Sequence, residues 1–349
     1  MKERFFSKQL LLWHQNENDR KVPWRGEKDP YKIWLSEIIL QQTRLEQGLP
    51  YYLNFIKEYP SIQDLALAPE QEVFKLWQGL GYYSRCRNLI TTATYINEKL
   101  NGKFPDNYKE LIQLKGVGPY TAAAIASFAF GEAVAVIDGN VYRVLSRYFT
   151  EETPIDTRDG KKRFQELIHH VFDPEFPADF NQAIMDLGAT VCTPKKPNCS
   201  ECPLKSKCKA FNLNLTESFP IKSKKLIIKI RHFDYWVFIH QQHIFIRQRT
   251  EKDIWQNLYE FYLEDFDTLK EKLENENNMV EIKAKVFETK QKLTHQLIYS
   301  SFSIVHLKEI PSFLKAEGLW KPIEELRKFA FPKTILSFLK EIHYFYYLN

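Results

Sequence analysis

No apolar run in this 349-residue sequence is both long enough and free enough of charge to span a membrane. The longest, Tyr120 to Ile137, is interrupted by Gly131 and Glu132, which suits a buried helix and the turn that leaves it. A secretory pattern is also missing: the N-terminal apolar stretch is short, broken by charge and followed by no small-residue cleavage site, so an amphipathic helix is expected there. Cysteine is scarce, with five residues, too few for a disulfide framework at this length. There is no internal repeat or low-complexity tract, and 44% hydrophobic with 15% aromatic residues excludes general disorder. At 41.5 kDa the chain exceeds one ordinary core, so two or three domains are expected. What remains is a cytoplasmic, multi-domain globular protein, in which clustered thiols read as metal ligands before disulfides.

Glycine is unevenly scarce: of twelve, only Gly318 lies beyond Gly188, so the two halves of the chain are built differently. In the first half, apolar residues recur at helical spacing in Tyr31–Gln42, Leu49–Ile56, Tyr82–Leu100, Thr121–Phe130, Val141–Phe149 and Phe164–Phe172, punctuated by Pro or Gly. From about Lys229 the pattern changes to strands, at Ile230–Ile239, Ile244–Arg249, Val280–Val286 and Gln296–Val305. Helices at Phe266–Asn275 and Lys333–Ile342 make this half an α+β module. The modest overall charge of +5 hides a stretch, residues 192–231, with ten Lys or Arg against Glu201 and Glu217. Such a run is ordinarily a solvated linker; the alternative is a phosphate-facing surface.

Four of the five cysteines fall inside that stretch, as Cys192-x6-Cys199-x2-Cys202-x5-Cys208, stiffened by Pro194, Pro197 and Pro203. A structural zinc site more typically pairs two short Cys knuckles, and only one such pair is present. Four unevenly spaced thiolates suit an iron-sulfur cube better, with zinc as the alternative. Cys86 stands apart and reads as a small buried residue.

Three further features carry chemistry. Gly116-Val117-Gly118-Pro119-Tyr120 is a tight turn feeding a helix that opens with proline, and the N–H groups of such a helix start can hold a phosphate oxygen. Asp138, in Val136-Ile137-Asp138-Gly139-Asn140, ends an apolar run where a helix begins; capping is the ordinary use of such an Asp. Glu37 is a lone carboxylate among Ile33, Trp34 and Leu40 on a helix. Either it is a solvated boundary residue, or desolvation raises its proton affinity towards that of a general acid.

Hairpin, downstream Asp and four-cysteine loop occur in the order found in the helix-hairpin-helix DNA glycosylases with an iron-sulfur cluster, which residues 20 to 210 resemble. Pro23-Trp24-Arg25, Trp34-Leu35-Ser36-Glu37 with Gln41-Gln42-Thr43, Gly79-Leu80-Gly81-Tyr82-Tyr83 and Asp138-Gly139-Asn140 are similar to motifs of the MutY-type adenine DNA glycosylases. The resemblance implies a mainly α, two-lobed helix-hairpin-helix glycosylase domain over residues 1–211, with a 4Fe-4S loop at 192–208 held by Cys192, Cys199, Cys202 and Cys208. It further implies a linker at 212–228 and an α+β Nudix-like domain at 229–349.

By the same resemblance the substrate is double-stranded DNA containing adenine opposite 8-oxoguanine or guanine, met by a nucleoid-associated monomer in base excision repair. Glu37 would protonate the adenine and later activate water, and Asp138 would stabilise or trap the oxocarbenium-like sugar, supported by Tyr120 and Asn140. Arg25 would line the adenine pocket, Gln42 and Tyr82 would wedge into the duplex, and Gly116 and Gly118 would meet a phosphate.

The strand-cleaving endonuclease III-like relatives place a Schiff-base lysine after the hairpin, where this chain has Tyr120; Lys115 lies on the wrong side of the turn. In the second half, Leu293-Thr294-His295 stands where the family has Phe-Ser-His, so Thr294 and His295 keep hydrogen-bonding groups for 8-oxoguanine while the aromatic ring is lost. Ile254–Phe261 resembles a strand-turn segment without its usual glycines, and no Glu-rich Nudix helix motif is present, which argues against a free-nucleotide pyrophosphatase. From a different class, cluster and hairpin would form a non-catalytic DNA-binding or redox-sensing scaffold.

Overall fold

The computed structural model describes residues 4–223, 227–275, 281–315 and 317–346. They form α1 (Arg4–Asn16), α2 (Pro30–Leu40), α3 (Leu45–Glu58), α4 (Ile62–Leu67), α5 (Glu70–Trp77), α6 (Tyr83–Lys99), α7 (Tyr108–Leu111), α8 (Pro119–Phe130), α9 (Gly139–Phe149), α10 (Arg158–Val171), α11 (Pro177–Thr190) and α12 (Lys209–Asn212). After these come β1 (Lys229–His240), β2 (His243–Gln248), β3 (Tyr259–Glu260), β4 (Tyr262–Leu263), α13 (Phe266–Asn275), β5 (Glu281–Lys292), β6 (Gln296–His306), α14 (Ser312–Lys315), β7 (Leu319–Pro322) and α15 (Lys333–Tyr346). The chain divides into two units, 1–66 with 91–225 and 67–90 with 226–349. Among the described residues, no helix is long and apolar enough to cross a membrane.

Local signals explain where the helices of the first unit begin. Asp29 caps α2 by accepting from the Tyr31 N–H at 2.9 Å, with Pro30 in the first turn. Apolar on nearly every side, α2 runs through the interior, with Trp34, Leu35 and Ile39 fully buried. The helix packs on α3 and α8. A second core joins α1 to α8–α11 through Phe6, Leu10, Leu145, Phe164, Phe180 and Ile184, with Phe6 edge-on to Tyr148 at 4.8 Å.

The periodicity located six helices of this series, with the start of α10 six residues late, but it missed the short α4, α5, α7 and α12 and the longer α11. That helix carries Pro177 in its first turn and buries Phe180, Ile184 and Leu187 at helical spacing. Its interior reads weakly because Asn181, Gln182 and Asp186 interrupt the apolar face. α3 starts four residues before the expected Leu49 and accommodates Pro50 inside it.

In the second unit the main sheet runs β3-β2-β1-β6-β5, with β4 also pairing β1 and β7 pairing β2. β1 lies parallel to β6 from Lys229↔Gln296 to Ile239↔His306, and β5 is antiparallel to β6 with an irregularity between Lys283 and Phe287. The expected strand start at Val280 lies outside the described residues. Gln241 and Gln242 take positive φ, 45° and 64°, the primed-turn geometry that fits a tight antiparallel link between β1 and β2. Where the resemblance led to glycines near 254–261, Trp255 and Asn257 adopt left-handed φ of 62° and 72° themselves. The covering helix α13 presses Leu269 and Leu273 onto Trp236, Phe238 and Val305. Cys86 is fully buried, as expected.

Candidate active site

Glu37 and Asp138, a hundred residues apart in sequence, line one cleft of about 620 Å³ in the first unit. α2 delivers Glu37 from the buried side, so the residue is only 7% exposed. Burial, with a smaller push from the Asp138 charge, raises it from the usual carboxylate range to about 7, and a hydrogen bond from Tyr120 draws it part of the way back. Half of the molecules would then hold the proton at neutral pH, as a general acid requires.

Asp138 caps α9. One carboxylate oxygen accepts from the Val141 N–H at 2.8 Å and the other from Asn140 Nδ2 at 2.7 Å. Burial still leaves its carboxyl above the ordinary aspartate range, and those donors oppose the shift. The same residue is therefore an N-cap and a cleft carboxylate. Asn140 is itself held by Arg143 Nη2 at 2.8 Å, and that nitrogen also reaches the Gly188 carbonyl at 2.6 Å while Arg143 Nε donates to the Cys192 carbonyl at 2.7 Å. Gly188 is required here: a Cβ would come within 2.6 Å of Asn140 Cβ and 3.1 Å of its backbone oxygen.

Tyr120 enters from the first turn of α8, its hydroxyl 3.4 Å from Met185 Sδ. Burial, followed by the charges of Glu37 and Asp138, drives its own ionisation well above the ordinary tyrosine value, so it remains a donor. Gly116 holds φ +76°, a conformation that favours glycine, whereas Gly118 has ordinary φ and open space where a Cβ would stand. Both line the cleft, as does Gln42, whose left-handed φ of 55° turns the chain out of α2.

Arg25 lies in an adjoining cavity of about 300 Å³, and Trp24, Glu37 and Gln182 line both spaces. Its guanidinium donates to the carbonyls of Asn18 (3.1 Å), Arg20 (3.0 Å) and His14 (3.4 Å), which ties the 14–25 segment together. Sequence reasoning missed the anchor of this region, Asp186, which is almost wholly buried on α11. It accepts from Arg20 Nη1 at 2.6 Å, Gln182 Nε2 at 2.9 Å and Asn18 Nδ2 at 2.9 Å. Arg20, Gln182 and Met185 all line the cleft, and recognising Pro177 as a helix start would have brought the last two into view.

The four clustered cysteines line a separate space with Val144, Arg147 and Leu187, and none is in a disulfide. Arg147 Nη1 reaches Cys192 Sγ at 3.3 Å, and its other donors hold the Thr193, Pro194 and Thr216 carbonyls, so one guanidinium organises the loop. Burial pushes the Cys202 thiol up to about 12 and raises Cys199 and Cys208 as well. Among the described residues, no three His, Cys, Asp or Glu side chains are grouped as a single metal ion would need.

Tyr82, Thr294 and His295 belong to the second unit. The Tyr82 hydroxyl is hydrogen-bonded to Thr294 Oγ1, and Tyr82 is well exposed with φ +48°.

Residues 35–170 match the HhH-GPD superfamily of base excision DNA repair proteins, and residues 234–341 match the NUDIX domain. The structure resembles that of a thermostable thymine-DNA glycosylase, at 30% identity and a TM-score of 0.55, over 60% of this chain and 95% of the other. Among curated relatives, the adenine DNA glycosylase of Buchnera aphidicola from Schizaphis graminum is 34% identical over 341 residues, covering 96% of this chain and 98% of its own. The human adenine DNA glycosylase is 44% identical over 214 residues, 59% of this chain and 39% of its own. The class is that of helix-hairpin-helix base excision glycosylases with a Nudix-like C-terminal domain. Within it, the chain belongs to the adenine DNA glycosylase family.

Proposed function

We propose that this enzyme excises adenine mispaired with 8-oxoguanine or guanine in duplex DNA and leaves the strand uncut. The observation that carries the reading is the buried Glu37, with its carboxyl raised to about 7, sharing a cleft with Asp138. Glu37 donates its proton to the departing adenine and, once ionised, takes a proton from the attacking water. Asp138, fixed by the Val141 N–H and Asn140, sets negative charge beside the sugar as it turns oxocarbenium-like. Tyr120 holds the Glu37 carboxylate after proton loss. At the position where strand-cutting relatives keep an amine, Tyr120 offers a phenol, which cannot form a Schiff base.

Gln42 and Tyr82 wedge into the duplex and offset part of the unstacking cost, about a few kcal/mol. Thr294 and His295 supply the hydrogen-bonding groups for the base opposite. Cys192, Cys199, Cys202 and Cys208 would hold a 4Fe-4S cluster: all four are free thiols lining one space, and their uneven spacing suits such a cluster better than paired zinc knuckles. When bound, such a cluster supplies the charge that keeps these thiols ionised and so pins the loop. Arg147 is placed to donate to Cys192.

The test is an excision assay on a duplex with adenine opposite 8-oxoguanine, analysed with and without alkali. Strand breaks that appear only after alkali are expected. Breaks formed without alkali at the rate of excision would overturn the uncut-strand reading, and no product at all would overturn the activity.

A further inference from the structure

Among the described residues of the second unit, one end of one sheet face lies exposed next to the Thr294–His295 tip. α13 packs on the other end of that face, where its Leu269 and Leu273 cluster with Trp236, Phe238 and Val305. Closer to the tip, register places the side chains of β5, β6 and β1 in rows: Lys292, Leu297 and Ile230, then Lys290, Tyr299 and His232, then Glu288, Ser301 and Asp234. The tip itself is tied to these strands, because the Leu293 N–H donates to the Gln296 carbonyl at 2.8 Å and the Lys229 N–H to the His295 carbonyl at 2.9 Å. Leu297 is therefore only two residues from His295.

The rows are graded in charge. The far row is acidic and turned on itself, with Ser301 Oγ hydrogen-bonded to Asp234. The two rows nearest the tip hold exposed Lys290 and Lys292, and among the described residues neither has a carboxylate partner. Between them lies an aromatic step: the Tyr299 ring stacks on His232 at 5.2 Å and 11°, with Lys290 Nζ 5.1 Å from the ring centroid. Ile230, beside it, is 58% exposed. Unpaired cations over a flat aromatic surface match a sugar-phosphate chain better than an apolar protein partner, which would meet two uncompensated ammonium groups.

We propose that this ledge, Lys290, Lys292, Tyr299 and His232, grips the backbone of the DNA strand that carries the base opposite the adenine. The inference rests on the proposed function, which places Thr294 and His295 against that base. The chain continuing from that tip then carries its cations along the same strand, and the acidic row ends the footprint.

The test measures binding of a duplex with adenine opposite 8-oxoguanine to full-length protein with Glu37→Gln, so that no turnover intervenes, across a salt series. Lys290→Gln with Lys292→Gln should reduce the slope of log affinity against log salt by about two, roughly 0.9 per lost phosphate contact. Tyr299→Ala should weaken binding with the slope retained. Lys308→Gln with Lys315→Gln, exposed lysines beyond the far end of β6, serve as the comparison. An unchanged slope in the ledge variant, or an equal change in the comparison pair, overturns the ledge. Failure of the parent protein with Glu37 intact to excise adenine overturns the underlying function instead, so the two outcomes are separable.

Discussion

Replacing Tyr120 with Phe should move the working pH range of the enzyme upward while slowing it. The carboxyl of Glu37 stands at about 7 against an ordinary 4.5, a displacement worth about 3 kcal/mol of disfavoured charge at 1.36 kcal/mol per unit. At pH 7 an ordinary glutamate would hold the proton in about one molecule in 300; here about half do. Single-turnover excision of adenine by the parent enzyme should therefore be flat from about pH 5.5 to 6.5 and fall tenfold per unit well above 7.

Tyr120 opposes the shift by donating to the ionised form. A hydrogen bond to a charged group contributes about 1.5–3 kcal/mol, so its loss should raise the midpoint by about one to two units. Folding stability carries the same signature. The native protein binds more protons than the unfolded chain between 4.5 and 7, so stability should fall as pH rises through that window, by up to about 3 kcal/mol. Glu37→Gln should flatten this fall in urea titrations at several pH values. A parent midpoint near 4.5, or a Tyr120→Phe midpoint that stays or moves down, would refute the reasoning.

Two other perturbations probe the supports of the site. Gly188→Ala places a methyl against the Asn140 backbone, so α9 must shift and Asp138 with it; single-turnover excision should drop by about 100-fold or more, an order set by an approximately 1 Å misplacement of catalytic groups. Wild-type excision in this variant would show that α9 gives way freely. Cys202→Ser removes one of four thiols from the cysteine space, and purified protein should lose iron and sulfide content and the visible absorption of an iron-sulfur cluster. Zinc at one per chain in the parent protein would sink the cluster assignment.

Much of this molecule was legible along the chain because its signals are local. Asp138 before an amphipathic stretch and Gly116 and Gly118 before Pro119 announce helix starts through groups only a few residues apart, and α8 and α9 begin there. The primed turn at Gln241–Gln242 was bracketed by the strands on either side of it. α11 escaped because Asn181 and Asp186, polar in sequence, are satisfied in the interior by Ser127, Val134, Arg20 and Asn18, partners that no periodicity reveals.

Most of the longer helices and strands, the thiol set, the candidate carboxylates and the family they resemble could thus be read along the chain alone. Only the tertiary structure decided that Glu37 and Asp138 share a cleft, that Asp186 anchors Arg20 and Gln182 there, and that β1 lies parallel to β6 beside a bare, basic ledge. The physical reason is range. Capping and periodicity act over a few residues, whereas the proton affinity of Glu37 depends on water removed by helices brought together from distant parts of the chain.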